Sequence, residues 1–365
     1  MKKMFLLATA ALLTACGSGD KKPMDTPRDR LAHQLFAWAE NGQIAYGHQD
    51  DLAYGHAWCV EDWENDPLER SDIKAVTGHY PAVMGFDLGG IELGNEANLD
   101  GVPFGLIRKA ALKQIERGGV VTFSWHPRNP LTGGDAWDVS SNQVVKSVLE
   151  GGEKHDEFML WLQRAADFVE SLGPDVAVIF RPWHENTGSW FWWGKDLCSE
   201  NEYRELFRLT WVYFTKKRGL ENLLWCYSPN GPVIPKEYMG RYPGDEFVDI
   251  LAADFYEFAG PEGLQESGSR FGAVLRDMLV KLSAMGLEHE KLICLSETGM
   301  EGLPDLHWWT EVLYPAIHEF PISYVLTWRN AHDKPGHFYG PWEGFAGAAD
   351  FKAFSELDSI VLLDE

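Results

Sequence analysis

Short apolar runs alternate along this chain with longer stretches whose apolar residues recur every three or four positions. Runs of the first kind fit buried strands, and stretches of the second kind fit amphipathic helices. The runs predict strands at 44–47, 82–86, 120–125, 176–181, 223–227, 249–254, 292–296 and 323–327. Helical spacing is clearest at 29–41, 105–117, 157–172, 202–218, 271–285 and 306–319. Strand–helix alternation builds a parallel sheet with helices outside it, and eight such units in this length predict an α/β (β/α)8 TIM barrel. No Pro/Ser-rich linker, charge block or short-period repeat divides residues 27–365, so one domain is expected there.

The predicted strands end on polar residues: His48, Asp87, His126, His184 with Glu185, Asp254 with Tyr256, Glu297, and Trp328 with Arg329. In a two-layer sandwich these would scatter over both edges. In a barrel they converge on one mouth, where loops after the strands carry the chemistry.

The start of the chain has its own pattern. Met1-Lys-Lys3, an apolar stretch and small residues describe a secretory signal over 1–15, too short to span a bilayer as a helix. Leu13-Thr-Ala-Cys16 resembles a bacterial lipobox, which makes Cys16 the expected lipidation site and residues 16–26 a tether. The alternative is a signal cut elsewhere, with Cys16 lost. On the lipobox reading the protein is an exported lipoprotein of a Gram-negative-type outer membrane, facing the periplasm or the cell surface, and it meets the membrane only through its anchor.

A formal net charge of −23 argues against nucleic acid, anionic lipid heads and polyanionic substrates. A neutral polymer is not repelled, and sixteen tryptophans offer indole faces for sugar rings, although most of them are expected to fill the core. Neither CxxC nor HExxH spacing occurs, so no metal and no cofactor are expected. Cys226 and Cys294 lie in apolar runs and read as buried thiols, whereas Cys59 and Cys198 are left open to pairing. A monomer is expected.

Two isolated carboxylates carry the chemistry. Glu185 lies in Arg181-Pro-Trp-His-Glu-Asn-Thr-Gly-Ser-Trp-Phe-Trp-Trp193, where aromatic surroundings disfavour its charged form and suit it to hold a proton as a general acid. Glu297 is the first charge after the 292–296 run and is the candidate nucleophile, although Ser296-Glu297-Thr298-Gly299 could instead open a helix. Tyr256 is placed to orient Glu297 unless it packs in the core. His126 is a candidate sugar contact or a core histidine. His184, beside the acid, is the candidate partner for an axial 2-hydroxyl. Trp328 offers a floor for a sugar ring, and Arg329 offers donors one sugar further along or a rim ion pair.

With these residues in hand, the chain resembles glycoside hydrolase family 26, the β-mannanases. The resemblance rests on Trp125-His126-Pro127, Arg181-Pro-Trp-His-Glu185 with Trp190, Asp254-Phe-Tyr256, Leu295-Ser-Glu297-Thr-Gly299 and Thr327-Trp-Arg-Asn330. It implies a retaining double displacement with Glu185 as acid/base and Glu297 as nucleophile, their carboxyl groups ~5–5.5 Å apart. His126, His184, Trp190, Tyr256, Trp328 and Arg329 would contact the sugars. The implied substrate is β-1,4-mannan, galactomannan or glucomannan, with mixed-linkage β-glucan and β-1,3-xylan as alternatives within the family. A glycan-binding surface lipoprotein is the non-enzymatic rival. The polar segment 87–98 could wall off the cleft and favour mannobiose release.

Overall fold

The computed structural model describes residues 25–364. Its centre is a closed barrel of eight parallel strands: β1 (Ile44–Gln49), β2 (Val83–Asp87), β3 (Val120–Trp125), β4 (Val178–Pro182), β5 (Leu223–Tyr227), β6 (Ile250–Glu257), β7 (Leu292–Met300) and β8 (Ile322–Thr327). Each pairs with its neighbour in chain order, and β8 closes back on β1 through Tyr46 opposite Val325. The (β/α)8 expectation holds.

One end of the barrel is plugged by the helix Pro27–Glu40. Thr26 caps it, exchanging hydrogen bonds with Asp29 in a capping box, and Pro27 occupies the first turn, where no N–H is needed. Leu31 and Leu35 insert among Ala45, Val120, Leu224 and Ile250. Arg28 donates to the carbonyl of Leu223 at 3.0 Å and pairs with Asp249 at 2.5 Å, so the plug sits where the strands begin. The last strand, Ile360–Leu363, also reaches this end, pairing parallel with β1 at Ile44 and antiparallel with Tyr80–Pro81. The opposite end stays open for loops.

Three predicted elements differ from what forms. The 202–218 helix is α-helical over Glu200–Trp211 and widens into a π-helical turn, Val212–Lys217. The 306–319 helix consists of a π-helical turn, Trp308–Leu313, followed by Tyr314–Ile317. The 271–285 helix is longer, Leu264–Glu288. Cys59 and Cys198 do not pair; with Cys226 and Cys294 they are free thiols, and only Cys59 is exposed. The signal segment, Cys16 and most of the tether lie outside the described residues.

Candidate active site

β7 runs past the predicted strand end. Against β6, Leu295 faces Ala253 and Glu297 faces Asp254, so Ser296 is one extra residue, a bulge that resets the alternation of side chains. Two consecutive side chains therefore act at the mouth. Ser296 Oγ donates to Asp254 Oδ1 at 2.5 Å, and Glu297 enters the cleft. No helix starts at Ser296, which removes the capping alternative. Gly299 needs its φ of 145° and its missing side chain: a Cβ there would stand 2.6 Å from the ring of Tyr339, which packs 5.5 Å from Tyr256.

Glu297 is buried and well partnered. Tyr256 donates its hydroxyl proton to Oε2 at 2.7 Å, and Arg181 donates to Oε1. Arg181 also pairs with Asp254 at 2.9 Å and bonds Ser228 Oγ at 3.1 Å. Burial alone would weaken the Arg181 charge, but Asp254 and Glu297 outweigh it and hold the guanidinium protonated.

Glu185 is held differently. It sits just after β4 with a φ of 54°, two residues after Trp183 at 57°, and its N–H donates to the Ser228 carbonyl at 2.7 Å. Left-handed backbone at bulky residues costs on the order of 1–3 kcal/mol and persists where the surroundings over-determine it, which is common at functional sites. Its carboxylate accepts one side-chain hydrogen bond, from Trp190 Nε1 at 2.7 Å. Burial and then the nearby charge of Glu297 push its pKa up to about 7, against the opposing effect of the Trp190 bond. Oxygens of Glu185, Asp254 and Glu297 lie within 4.8 Å of one another.

The four tryptophans around Glu185 divide by role. Trp183, Trp192 and Trp193 are fully buried and bond Thr210 Oγ1, the Pro127 carbonyl and the His184 carbonyl respectively. They shape the turn, and only Trp190, 41% exposed, lines the cleft.

The two histidines form a relay behind the carboxylates. Ser124 Oγ and His126 Nδ1 each donate to Asp87 Oδ2 at 2.6 Å. Burial would lower the His126 pKa, but Asp87 more than compensates and raises it. The same ion pair and its hydrogen bonds lower Asp87 despite its burial. His126 Nε2 then donates to His184 Nε2 at 3.0 Å. Burial and the positive charge of His126 keep His184 neutral. His184 is thus packed behind His126, with its Nδ1 buried and without a hydrogen-bond partner.

Trp328 closes β8 with its ring 6.4 Å from that of His126. Arg329 takes the rim position, pairing with Asp100 at 2.7 Å. Asn330 is architectural: it accepts from the N–H groups of Tyr339 and Gly340 and donates to Asp72. The mouth thus gathers Glu185, Glu297, His126, Trp190, Tyr256, Trp328 and Arg329, with His184 buried behind His126. The sequence pattern shows Arg181, Asp87 and Asp254 without assigning them roles, and it does not mark Trp137. That tryptophan is 47% exposed and stacks on His126 at 5.3 Å and 14°. Asp135-Ala-Trp137 stands in a loop with no periodic signal, so nothing nearby marked it.

The sequence profile of glycosyl hydrolase family 26 matches residues 28–276. A mannan endo-1,4-beta-mannosidase of Bifidobacterium adolescentis is 32% identical over 335 residues, covering 86% of this chain but 33% of its own length; the chain thus spans about a third of that relative. One from Bacillus subtilis is 33% identical, covering 71% of this chain and 69% of its own. Among solved structures, a GH26 beta-mannanase from Bacteroides ovatus superposes with a TM-score of 0.86 at 45% identity, covering 94% of this chain and 96% of its own. With the barrel and the paired glutamates in place, the chain belongs to glycosyl hydrolase family 26.

Proposed function

We propose that this protein is a retaining β-mannanase. The observation that carries the reading is the contrast between two carboxylates whose oxygens lie within 4.8 Å, one bonded by a cation and a phenol, the other by an indole alone. Glu297, oriented by Arg181 and Tyr256, attacks the anomeric carbon, while Glu185, its pKa near 7, gives its proton to the departing glycosidic oxygen. The sugar is then bound covalently to Glu297. Glu185 next takes a proton from water, which attacks the same carbon and breaks its bond to Glu297, releasing the carboxylate, and retention follows from two inversions. Oxygens this close fit the short carboxyl separation of a retaining enzyme better than the wider gap of an inverting one.

The mannan preference rests on the relatives that bear mannanase names and on the polar, histidine-backed mouth. A finer reading is mannobiose release. The segment after β2 is rigidly held: Glu92 accepts from the N–H groups of Gly90 and Arg128 and from Trp125 Nε1, and Asn98 bonds the Asp87 carbonyl and the Val102 N–H. Asp100 then crosses to Arg329, an arrangement suited to close the cleft. We also propose that Cys16 carries a lipid anchor; wild type should label with radioactive palmitate and Cys16→Ala should not.

Product analysis on linear mannan, galactomannan and mixed-linkage glucan, with Glu297→Ala as control, tests the function. Early β-anomeric manno-oligosaccharides support it. Exclusive cleavage of the glucan, or binding of mannan by wild type with no cleavage, would refute it.

A further inference from the structure

Behind the Arg329–Asp100 bridge lies a carboxyl group that the proposed chemistry does not use. Asp50 follows β1, is fully buried and has a φ of 59°. Its N–H donates to the Gly85 carbonyl at 2.8 Å, which ties this unusual backbone to β2. Tyr54 donates its hydroxyl proton to Asp50 Oδ2 at 2.9 Å, while Asp50 Oδ1 has no partner. Arg329 donates to the same tyrosine oxygen at 3.3 Å. A chain of contacts, Asp50 to Tyr54 to Arg329 to Asp100, therefore joins the loops after β1, β8 and β2.

We propose that Asp50 is a positioning residue for the cleft wall: through Tyr54 it holds Arg329 against Asp100. The charges around it explain why it does so as an uncharged acid. Arg329 is the cation that Asp50 and Asp100 share, Asp87 adds a further negative charge from β2, and Lys334 acts on Asp100 from outside. The His332 ring lies against Tyr54 at 5.4 Å. Ionising Asp50 would place a second carboxylate beside Asp100 with one oxygen unpartnered, and the two would compete for one guanidinium. Burial and Asp100 accordingly raise the Asp50 pKa to about 8. Below that pH the bridge is whole; above it, Arg329 is drawn away from Asp100 and the wall loosens.

The enzymatic readout rests on the mannan-cleaving reading, so a structural readout accompanies it. Crystal structures of Asp50→Ala and Asp50→Asn should differ: Arg329 leaves Asp100 in the first and stays in the second, where the neutral amide replaces the neutral acid. On linear mannan near neutral pH, Asp50→Ala should cut the disaccharide share of early products roughly threefold, with KM rising more than kcat falls, and Asp50→Asn should restore both. Wild type should show the same fall in the disaccharide share as pH passes about 8, on top of the loss of rate that Glu185 causes in both proteins, and Asp50→Asn should keep its disaccharide share. An intact bridge in Asp50→Ala, or a disaccharide share that falls with pH in Asp50→Asn as in wild type, overturns the proposal. Absence of mannan cleavage by wild type would refute the activity instead, and the two crystal structures would still decide the bridge.

Discussion

Oxygens of Glu185 and Glu297 approach within 4.8 Å, yet the two carboxyl groups are held by different partners. Arg181 and Tyr256 both donate to Glu297, one to each carboxylate oxygen. Burial and then the charge of Glu297 favour the acid form of Glu185, against the single hydrogen bond from Trp190. On the proposed mechanism the raised pKa of Glu185 suits it to the acid role, which leaves Glu297 as the nucleophile.

Replacing Glu297 by Ala should therefore lower turnover on every substrate by on the order of 10⁴-fold or more, since the covalent step is lost. Glu185→Ala should lose about 10²–10⁴-fold on mannan but retain activity on aryl glycosides whose leaving group needs no proton. Steady-state rates on both substrate types decide this. Greater activity of Glu297→Ala on the activated substrate would reverse the two roles.

The alkaline limb of kcat/KM should fall near pH 7. Glu185 must be protonated to act as acid, so activity is present below its raised pKa of about 7 and is lost as pH rises through it. Trp190→Phe removes a hydrogen bond that favours the charged form, so the limb should move to higher pH even as affinity for the sugar drops. A limb that moves to lower pH in this variant would contradict the assignment.

The barrel and its mouth were legible because strand runs and their polar ends are local features. Glu185 and Glu297 stood out for the same reason, as single charges closing apolar segments. What could not be read depends on contacts between distant segments. The bulge at Ser296, which turns Glu297 toward the cleft, exists only in the pairing of β7 with β6. The Asp87–His126–His184 relay joins three strands. The plugging of the barrel by Leu31 and Leu35 follows from where the first helix docks, although its amphipathic pattern was visible. The π-helical turns at Val212–Lys217 and Trp308–Leu313 keep an apolar face close enough to helical spacing to pass for regular helix.

Asp87→Asn should destabilise the fold by about 3 kcal/mol, because it leaves His126 buried without its counter-ion. The effect should depend on pH in a defined way. Asp87 has a lowered pKa, so its contribution is present above its unfolded value of about 4 and lost as pH falls through the folded one. His126 has a raised pKa, so its contribution is complete below about 6.5 and lost as pH rises through the folded value. Denaturant midpoints of wild type and Asp87→Asn should thus differ most between about pH 4 and 6.5. A constant difference across pH would show that the pair is not ionic.

The wall itself gives the last test. Arg329 and Asp100 are each 12% exposed at the side chain and bridge the loop after β2 to the end of β8 at 2.7 Å. If this bridge closes the cleft two sugars from the cut, mannan chains enter only by their non-reducing ends. Disaccharide should then dominate from the first minutes, and viscosity should fall slowly relative to the reducing ends formed. Asp100→Ala removes the bridge but leaves Glu185, Glu297 and their partners untouched, so cleavage should continue with longer early products and a faster loss of viscosity. Contacts to the terminal sugar would weaken as well, raising KM for short oligosaccharides by roughly tenfold, the equivalent of about 1.4 kcal/mol. A rapid viscosity drop with mixed early products from the intact enzyme would leave an endo-acting mannanase with the same catalytic pair and an Asp100–Arg329 bridge that does not obstruct the polymer.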